Sequence, residues 1–206
     1  MIKITNLKKV YQGRTVLDIG RLTVENGETV ILLGHNGSGK STLLKILADI
    51  IEATWGNIIK DENVLYLPQQ SLPFNKTVKK NILYSLSGTK KEKEEAYEKV
   101  CALLKLKELE NKNARTLSGG ECQRLAIARL LCKKCDLLLL DEPTSAADTE
   151  SRRLIVEAVK AYQKETGCIL IVTTHIKEDA ELFGGRKIVL TNGKLPLLRE
   201  EEENNA

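Results

Sequence analysis

The sequence predicts an α/β fold: a mainly parallel sheet flanked by helices, with an N-terminal antiparallel β sub-lobe and a helical sub-lobe. Three observations carry this. From residue 29 onward, short apolar runs of strand length alternate with stretches of helical periodicity, as in βαβ units. Residues 2–10 and 16–24 alternate apolar and polar around Gln12-Gly13, which reads as a pair of strands joined by a turn. From Thr77 to about Lys112 the chain turns polar and helical, its Lys/Glu surface carrying an apolar stripe of Val100, Leu103, Leu104 and Leu106.

Taken in order, Thr29–Leu33 is a compact apolar strand that stops at Gly34, and a glycine loop and a helix follow it. That helix is expected over Lys40–Ile51, with Leu43, Leu44, Ile46, Leu47 and Ile50 at helical spacing. Trp55-Gly56-Asn57 breaks the pattern, and Asn57–Lys60 and Val64–Leu67 read as further strands, the second stopped by Pro68. The helical sub-lobe is placed at about 71–125. A helix at about Gly119–Lys133, a buried strand at Asp136–Leu140, a helix at 150–165, a strand at Ile169–Thr174, a short helix near 177–183 and a hairpin at Asn192-Gly193 complete the alternation. Residues 200–206 read as an acidic, frayed tail.

A length of 206 residues suits a single domain, 1–206, and its core is large enough to fold without staples. Five cysteines, an odd number, point to free thiols in a reducing compartment rather than a disulfide framework. No secretory leader is visible at Met1–Thr5, so the cytoplasm is the expected location. The longest apolar runs, Leu137–Leu140 and Cys168–Val172, fall far short of the roughly 18 residues of a membrane span. A balance of 32 basic against 28 acidic residues leaves a net charge of +4, and the Lys-rich stretch is interleaved with Glu, so no nucleic-acid partner is expected.

Gly34-His35-Asn36-Gly37-Ser38-Gly39-Lys40-Ser41 satisfies G-x-x-x-x-G-K-[ST] between an apolar strand and a helix, the context in which that pattern is a phosphate-binding P-loop. Glycines at 34, 37 and 39 let the backbone N–H groups of the loop, Asn36 and Ser38 included, turn inward on phosphate oxygens, and the helix adds the positive end of its dipole. Lys40 supplies a point charge for the β and γ phosphates, Ser41 a hydroxyl for Mg²⁺, and Thr42 a donor to a phosphate oxygen. Leu137–Leu140 then delivers two carboxylates at the carboxyl end of a buried strand. Asp141 is expected to bind Mg²⁺ through water, and Glu142 to orient the attacking water or accept its proton. Alone, this pair also reads as an acidic turn before Pro143; beside the glycine loop it reads as chemistry.

Ser118-Gly119-Gly120-Glu121 has a local reading as a capping box, Ser-x-x-Glu, at a helix start. The longer run Leu117-Ser118-Gly119-Gly120-Glu121-Cys122-Gln123-Arg124 also resembles the LSGGQ signature, followed by QR, of ATP-binding cassette (ABC) ATPases, and both readings can hold together. With the glycine loop, Asp141-Glu142-Pro143-Thr144-Ser145 and Thr173-Thr174-His175 in the same order, the resemblance covers about residues 2–195. It implies further roles. Tyr11 stands where the family stacks an aromatic on adenine. Gln69 resembles the glutamine that touches Mg²⁺ or water and moves with a membrane partner, with Gln70 adjacent. His175 looks like the histidine that hydrogen-bonds the γ-phosphate. Ser118, Gly119, Gly120 and Glu121 would contact the γ-phosphate held by a partner subunit, Glu121 standing where Gln is usual. Asp148, in Ser145-Ala146-Ala147-Asp148, lies in the loop that crosses the dimer interface, Ala147 replacing a leucine. His35 replaces the usual proline at a position that contributes backbone.

The resemblance therefore implies an ATPase that works as a head-to-tail pair of copies with ATP between them. It also implies a separate transmembrane subunit, met by the helical sub-lobe and the Gln69 loop on the inner face of the cell membrane. An importer with an extracytoplasmic substrate-binding protein is expected, its short chain and the run Pro73–Val78 being similar to tungstate and molybdate cassettes. The alternatives are a small exporter cassette and a soluble ABC ATPase; soluble members carry a coiled-coil insertion or a second cassette, which 206 residues do not hold. No C-terminal regulatory domain is expected after the last hairpin. Cys132 and Cys135, a C-x-x-C without a second pair, are read as structural.

Overall fold

The computed structural model describes residues 1–196, so the stretch 200–206 lies outside the described residues. In chain order the elements are β1 (Ile2–Tyr11), β2 (Arg14–Val24), β3 (Thr29–Leu33), α1 (Lys40–Leu47), β4 (Trp55–Ile59), β5 (Val64–Leu67), α2 (Val78–Tyr84), α3 (Lys90–Leu104), α4 (Gly119–Leu131), β6 (Leu137–Asp141), α5 (Thr149–Thr166), β7 (Ile169–Thr174), α6 (Lys177–Phe183) and β8 (Arg186–Val189). They form two sheets. A five-stranded sheet, entirely parallel, runs in the order β5-β6-β7-β3-β8, and a three-stranded antiparallel sheet runs β2-β1-β4.

The parallel sheet has apolar side chains on both faces, which is why its strands read as continuous runs. Val30, Leu32, Leu137, Leu139, Ile169 and Ile171 face one core, shared with α1 and the inner residues of the antiparallel sheet, Ile2, Ile4, Leu17 and Ile19. Ile31, Leu138, Leu140, Leu170 and Val172 face the other, built from α2 to α5. Fully burying one such Leu or Ile contributes about 1.5–3 kcal/mol, so these two layers are the main force that aligns the strand ends.

The register fixes those ends. Leu67 pairs with Leu140, Asp141 with Thr173, and Leu33 with Thr174. Four adjacent strands, β5, β6, β7 and β3, therefore finish at one level, and the segments after them emerge side by side, as open α/β sheets require of a ligand site.

Several boundaries differ from the sequence expectation. Helix α1 stops at Leu47 rather than Ile51, because Asp49 turns left-handed (φ 55°), and Ile50 stays exposed. Strand β4 begins at Trp55, where Gly56 (φ 101°) lets the strand backbone pass close to Asn6 and Leu7. The stretch from 77 to 112 is not continuous: α2 ends at Tyr84, and Thr89 with Glu92 forms a capping box that starts α3 afresh. The final turn at Asn192-Gly193 is closed by one bridge, Thr191 to Lys194, while β8 before it joins the parallel sheet.

Candidate functional site

The loop after β3 wraps tightly. Gly39, the residue before α1, adopts φ 106°, and a side chain there would meet Leu17 Cδ2 at 2.7 Å, so the position excludes any other residue both by conformation and by space. The first turn of α1 has no side-chain cap, which leaves its N–H groups directed at the loop's open side. Lys40 is buried, and its Nζ donates to the carbonyls of Gly34 (2.8 Å) and His35 (3.2 Å); no carboxylate pairs with it among the described residues. Ser38 Oγ is buried without a hydrogen-bond partner. An ammonium without a counter-charge, an orphaned hydroxyl and an uncapped helix start are the chemistry of an anion site, so the loop fits the phosphates expected for it. His35 takes part through its backbone, accepting from Lys40 and from the Ser38 N–H, as its substitution for proline allows.

A cavity of about 330 Å³ opens over this loop, lined by Val16, Asn36, Gly37, Gly39, Lys40, Ser41, Thr42, Gln69 and Glu142. The sheet thus brings together what the sequence separates by a hundred residues. Glu142, 7% exposed and in the left-handed region (φ 51°), has its carboxylate held on both sides. Gln69 Nε2 donates to Oε2 at 3.0 Å, and His175 Nδ1 lies 3.1 Å from Oε1. A carboxylate fixed between an amide and an imidazole at the edge of this cavity has the chemistry to orient a water and receive its proton.

Asp141 is 2% exposed and has no cationic partner among the described residues. Its oxygens accept from Thr173 Oγ1 (2.6 Å) and from Tyr66 Oη (3.4 Å), and burial, then the carboxylate itself, pushes the Tyr66 phenol well above its usual range. A buried carboxylate without a balancing cation suits a divalent ion, so Asp141 fits Mg²⁺, and Ser41 offers its hydroxyl in the lining of the glycine-loop cavity. The roles of Thr173 and Tyr66 were not read from the sequence. Equal spacing on in-register strands is the signal that would have found Thr173, and it becomes usable only once the β6–β7 register is known.

The signature residues lie apart from the cavity over the glycine loop. Ser118 caps α4 as the local reading expected: its Oγ accepts from Glu121 N–H (3.3 Å), and Glu121 Oε2 accepts from Ser118 N–H (2.8 Å). That backbone donor, assisted by Lys112, holds the Glu121 carboxyl below the usual range. Gly120 packs where a side chain would meet Ser151 Oγ at 2.7 Å and Asp148 Oδ2 at 3.3 Å. Asp148 caps α5 by accepting from Ser151 N–H (2.7 Å), a bond that holds its carboxyl below the usual range. Gln123, one turn into α4, receives Ala146 N–H (3.2 Å) and reaches Ser145 Oγ (3.4 Å), tying the 145–148 loop to the signature helix. Gly119 and Gln123 line a second cavity of about 240 Å³ with Gln69 and Glu142, which links the two halves within one copy.

Tyr11 sits at the β1–β2 turn, 45% exposed, with Lys9 Nζ 4.7 Å from its ring centroid, and it does not line the glycine-loop cavity. Cys132 and Cys135 are free thiols, and no three metal-binding side chains converge among the described residues. Burial pushes the Cys132 thiol, partly buried at the edge of the core, up to about 12, and the buried Cys135 Sγ packs 3.4 Å from Tyr162 Oη.

A family profile described as ABC transporter matches residues 17–145. The tungstate uptake system ATP-binding protein TupC of Peptoclostridium acidaminophilum is 34% identical over 94% of this chain and 96% of its own length. The spermidine/putrescine import ATP-binding protein PotA of Mannheimia succiniciproducens is 36% identical over 95% of this chain, and the molybdate/tungstate import ATP-binding protein WtpC of Thermococcus kodakarensis is 35% identical over the same share. The chain spans about half the length of the PotA proteins it matches, 56% in the first case. Among solved structures, a dimeric post-hydrolysis state of the ATP-binding cassette MJ0796 bound to ADP and Pi superposes with a TM-score of 0.83 at 27% identity, covering 95% of this chain and 97% of the other. A match that runs from inside β2 to the turn after β6, joined to relatives a third identical over nearly the whole described fold, makes this chain a member of the ABC transporter family.

Proposed function

We propose that this chain is the ATP-hydrolysing subunit of an ABC importer, working as a head-to-tail pair with ATP between the copies. The observation that carries the reading is Glu142, clamped by Gln69 and His175 at the edge of the cavity over Lys40, while Ser118–Glu121 stand outside that cavity. In this reading Lys40 exchanges its two carbonyl contacts for phosphate oxygens, and Ser38 and the uncapped start of α1 receive the rest of the negative charge. Glu142 draws a proton from the attacking water while His175 and Gln69 fix its direction. Ser41, Asp141 and Gln69 are the residues that would hold Mg²⁺, whose contribution when bound is to neutralise charge on the phosphates. Tyr11 offers adenine the ring face opposite Lys9. Ser118 to Glu121 and Asp148 of one copy complete the site of the other.

Residues 1–206 act as one cassette, its helical sub-lobe at about 71–125 meeting a separate membrane-spanning subunit. Support comes from exposed apolar side chains: Leu72 and Phe74 follow soon after Gln69, and Phe74 packs edge-on to Tyr84 at 5.1 Å with Arg129 over its ring. No helix among the described residues is long and apolar enough to cross a membrane; in this reading the cassette works on the cytoplasmic face with the membrane-spanning partner, as the import ATP-binding relatives suggest. The near-full-length match to TupC favours a small oxyanion such as tungstate or molybdate, delivered by an extracytoplasmic binding protein.

Glu142→Gln tests the core of this. It should lower ATP turnover by about 10²–10⁴-fold, the usual worth of a general base, and trap an ATP-bound dimer detectable by light scattering. A variant that stays monomeric in saturating ATP would sink the paired-site reading. Purification of the tagged wild-type chain from its native membranes in mild detergent should bring a multi-span subunit and a binding protein with it; recovery without a membrane subunit would overturn the importer.

A further inference from the structure

We infer that Thr173 is a positioning residue for ATP hydrolysis: its hydroxyl locks Asp141 and Glu142 into their working geometry at once. The inference rests on the ATPase reading above. Thr173 has no exposed surface, and β7 before it is wholly apolar, Ile169 to Val172. A valine would satisfy that packing; burying a hydroxyl there costs free energy unless both its donor and its acceptor are used.

Both are used, and by the two carboxylate residues. Asp141 and Thr173 are register partners on adjacent parallel strands, so their side chains project from the same face. The single O–H of Thr173 donates to Asp141 Oδ1 at 2.6 Å. A lone pair of the same Oγ1 accepts the Glu142 N–H at 3.0 Å, beside the strand bond from that N–H to the Thr173 carbonyl at 3.1 Å. The direction of the relay is thereby fixed, since the proton spent on Asp141 leaves only acceptor capacity for Glu142. The second bond falls where it is needed. Glu142 is held at φ 51°, a left-handed conformation that is unfavourable for a residue with a side chain, and its carboxylate meets Gln69 and His175 from that turn. Asp141 is meanwhile aimed by two hydroxyls, the other being Tyr66 at 3.4 Å. Thr174 does different work, its Oγ1 accepting Ile176 N–H (3.0 Å) to close the turn that carries His175.

Thr173→Val keeps the shape and deletes the relay; Thr173→Ser keeps the relay and trims a methyl. Side chains that orient a metal ligand typically change affinity or activity by about 10–100-fold when lost, so T173V should lower kcat and raise the Mg²⁺ concentration for half-maximal rate by about 10-fold each. The KM for ATP should stay near wild type, and T173S should restore both quantities. A fluorescent ATP analogue supplies a readout independent of turnover: T173V should bind it as wild type does without Mg²⁺, and more weakly than wild type with Mg²⁺. A purely structural hydroxyl would lower the melting temperature and leave the Mg²⁺ dependence alone. T173V with wild-type kcat and Mg²⁺ requirement overturns the inference, as does T173S impaired equally with T173V. Should T173V fail to fold, Thr173→Cys, of similar size and a poor donor, is expected to show the same Mg²⁺ shift, and its absence overturns the inference equally. Failure of wild type itself to hydrolyse ATP would instead remove the ATPase reading, and the analogue titration would still separate the two.

Discussion

Helices α1 and α4 both start beside paired glycines, and their first turns are completed by opposite means. At α1, Gly39 contributes no side-chain cap, Ser38 Oγ has no partner, and Lys40 rests on loop carbonyls. At α4, Ser118 and Glu121 satisfy each other's backbone donors, and Gly120 is pressed against Ser151. The difference separates a site that a ligand must finish from one that is finished before any ligand arrives. In the two-copy arrangement proposed above, the first surface would capture nucleotide and the second would close over it, which matches a first surface left electrostatically open and a second held rigid.

The strongest way to break this contrast is to compare Lys40→Ala with Ser118→Ala in nucleotide binding by the single chain. Loss of the Lys40 charge should remove about 1.5–3 kcal/mol of charge-assisted bonding, roughly 10–100-fold in affinity for a fluorescent ATP analogue. Ser118→Ala should leave that affinity unchanged; equal weakening by both would show that α4 shares the primary site. Next in size is Gly120→Ala. Helix propensity favours alanine by about 1 kcal/mol, whereas overpacking against Ser151 costs about 1–3 kcal/mol, so a net loss of up to about 2 kcal/mol is expected from the urea midpoint. A midpoint at or above wild type would mean that Ser151 turns aside and the packing is not tight.

Ser118→Ala should itself cost about 1 kcal/mol of stability through the lost cap, again by urea unfolding. The smallest effect is that of pH. Hydrogen bonding to Ser118 N–H, then Lys112, holds the Glu121 carboxyl below its usual value of 4.5. A folded pKa below the unfolded one contributes stability that is present above the unfolded value and lost as pH falls through the folded value. The capping box should therefore weaken as pH drops below about 4.5, and Glu121→Gln, which still caps, should remove that part of the pH dependence. A variant with an unchanged acid limb would place the acid sensitivity elsewhere.

How much of this was legible beforehand follows from the range over which each feature is decided. The β1–β2 hairpin, the strand–loop–helix around Gly34–Ser41 and the Ser118–Glu121 box are set within about ten residues, by alternation, glycine placement and cap spacing, and all three appear where the sequence put them. The break between α2 and α3 was also written locally, in Thr89-x-x-Glu92, but reading 77–112 as one polar helical stretch on the stripe of Val100 to Leu106 passed over it. The early end of α1 was not, since Ile50 has helical spacing and only the left-handed turn at Asp49 takes it out of the core.

The amino-acid sequence alone determined the chemistry available: a lysine in a glycine loop, two carboxylates at a strand end, a glutamine, a histidine and a self-capped glycine helix. Tertiary structure decided their mutual distances. Gln69, Glu142 and His175 meet because β5, β6 and β7 end at one level, a register that two buried apolar faces impose and that no local pattern encodes. The same register turned Thr173 from one more residue of a buried strand into the donor to Asp141 and the acceptor for Glu142. Hydrogen-bond partners 31 to 73 residues apart in the chain are chosen by how sheets pack, so the sequence named the groups and the packed sheet assigned the pairs.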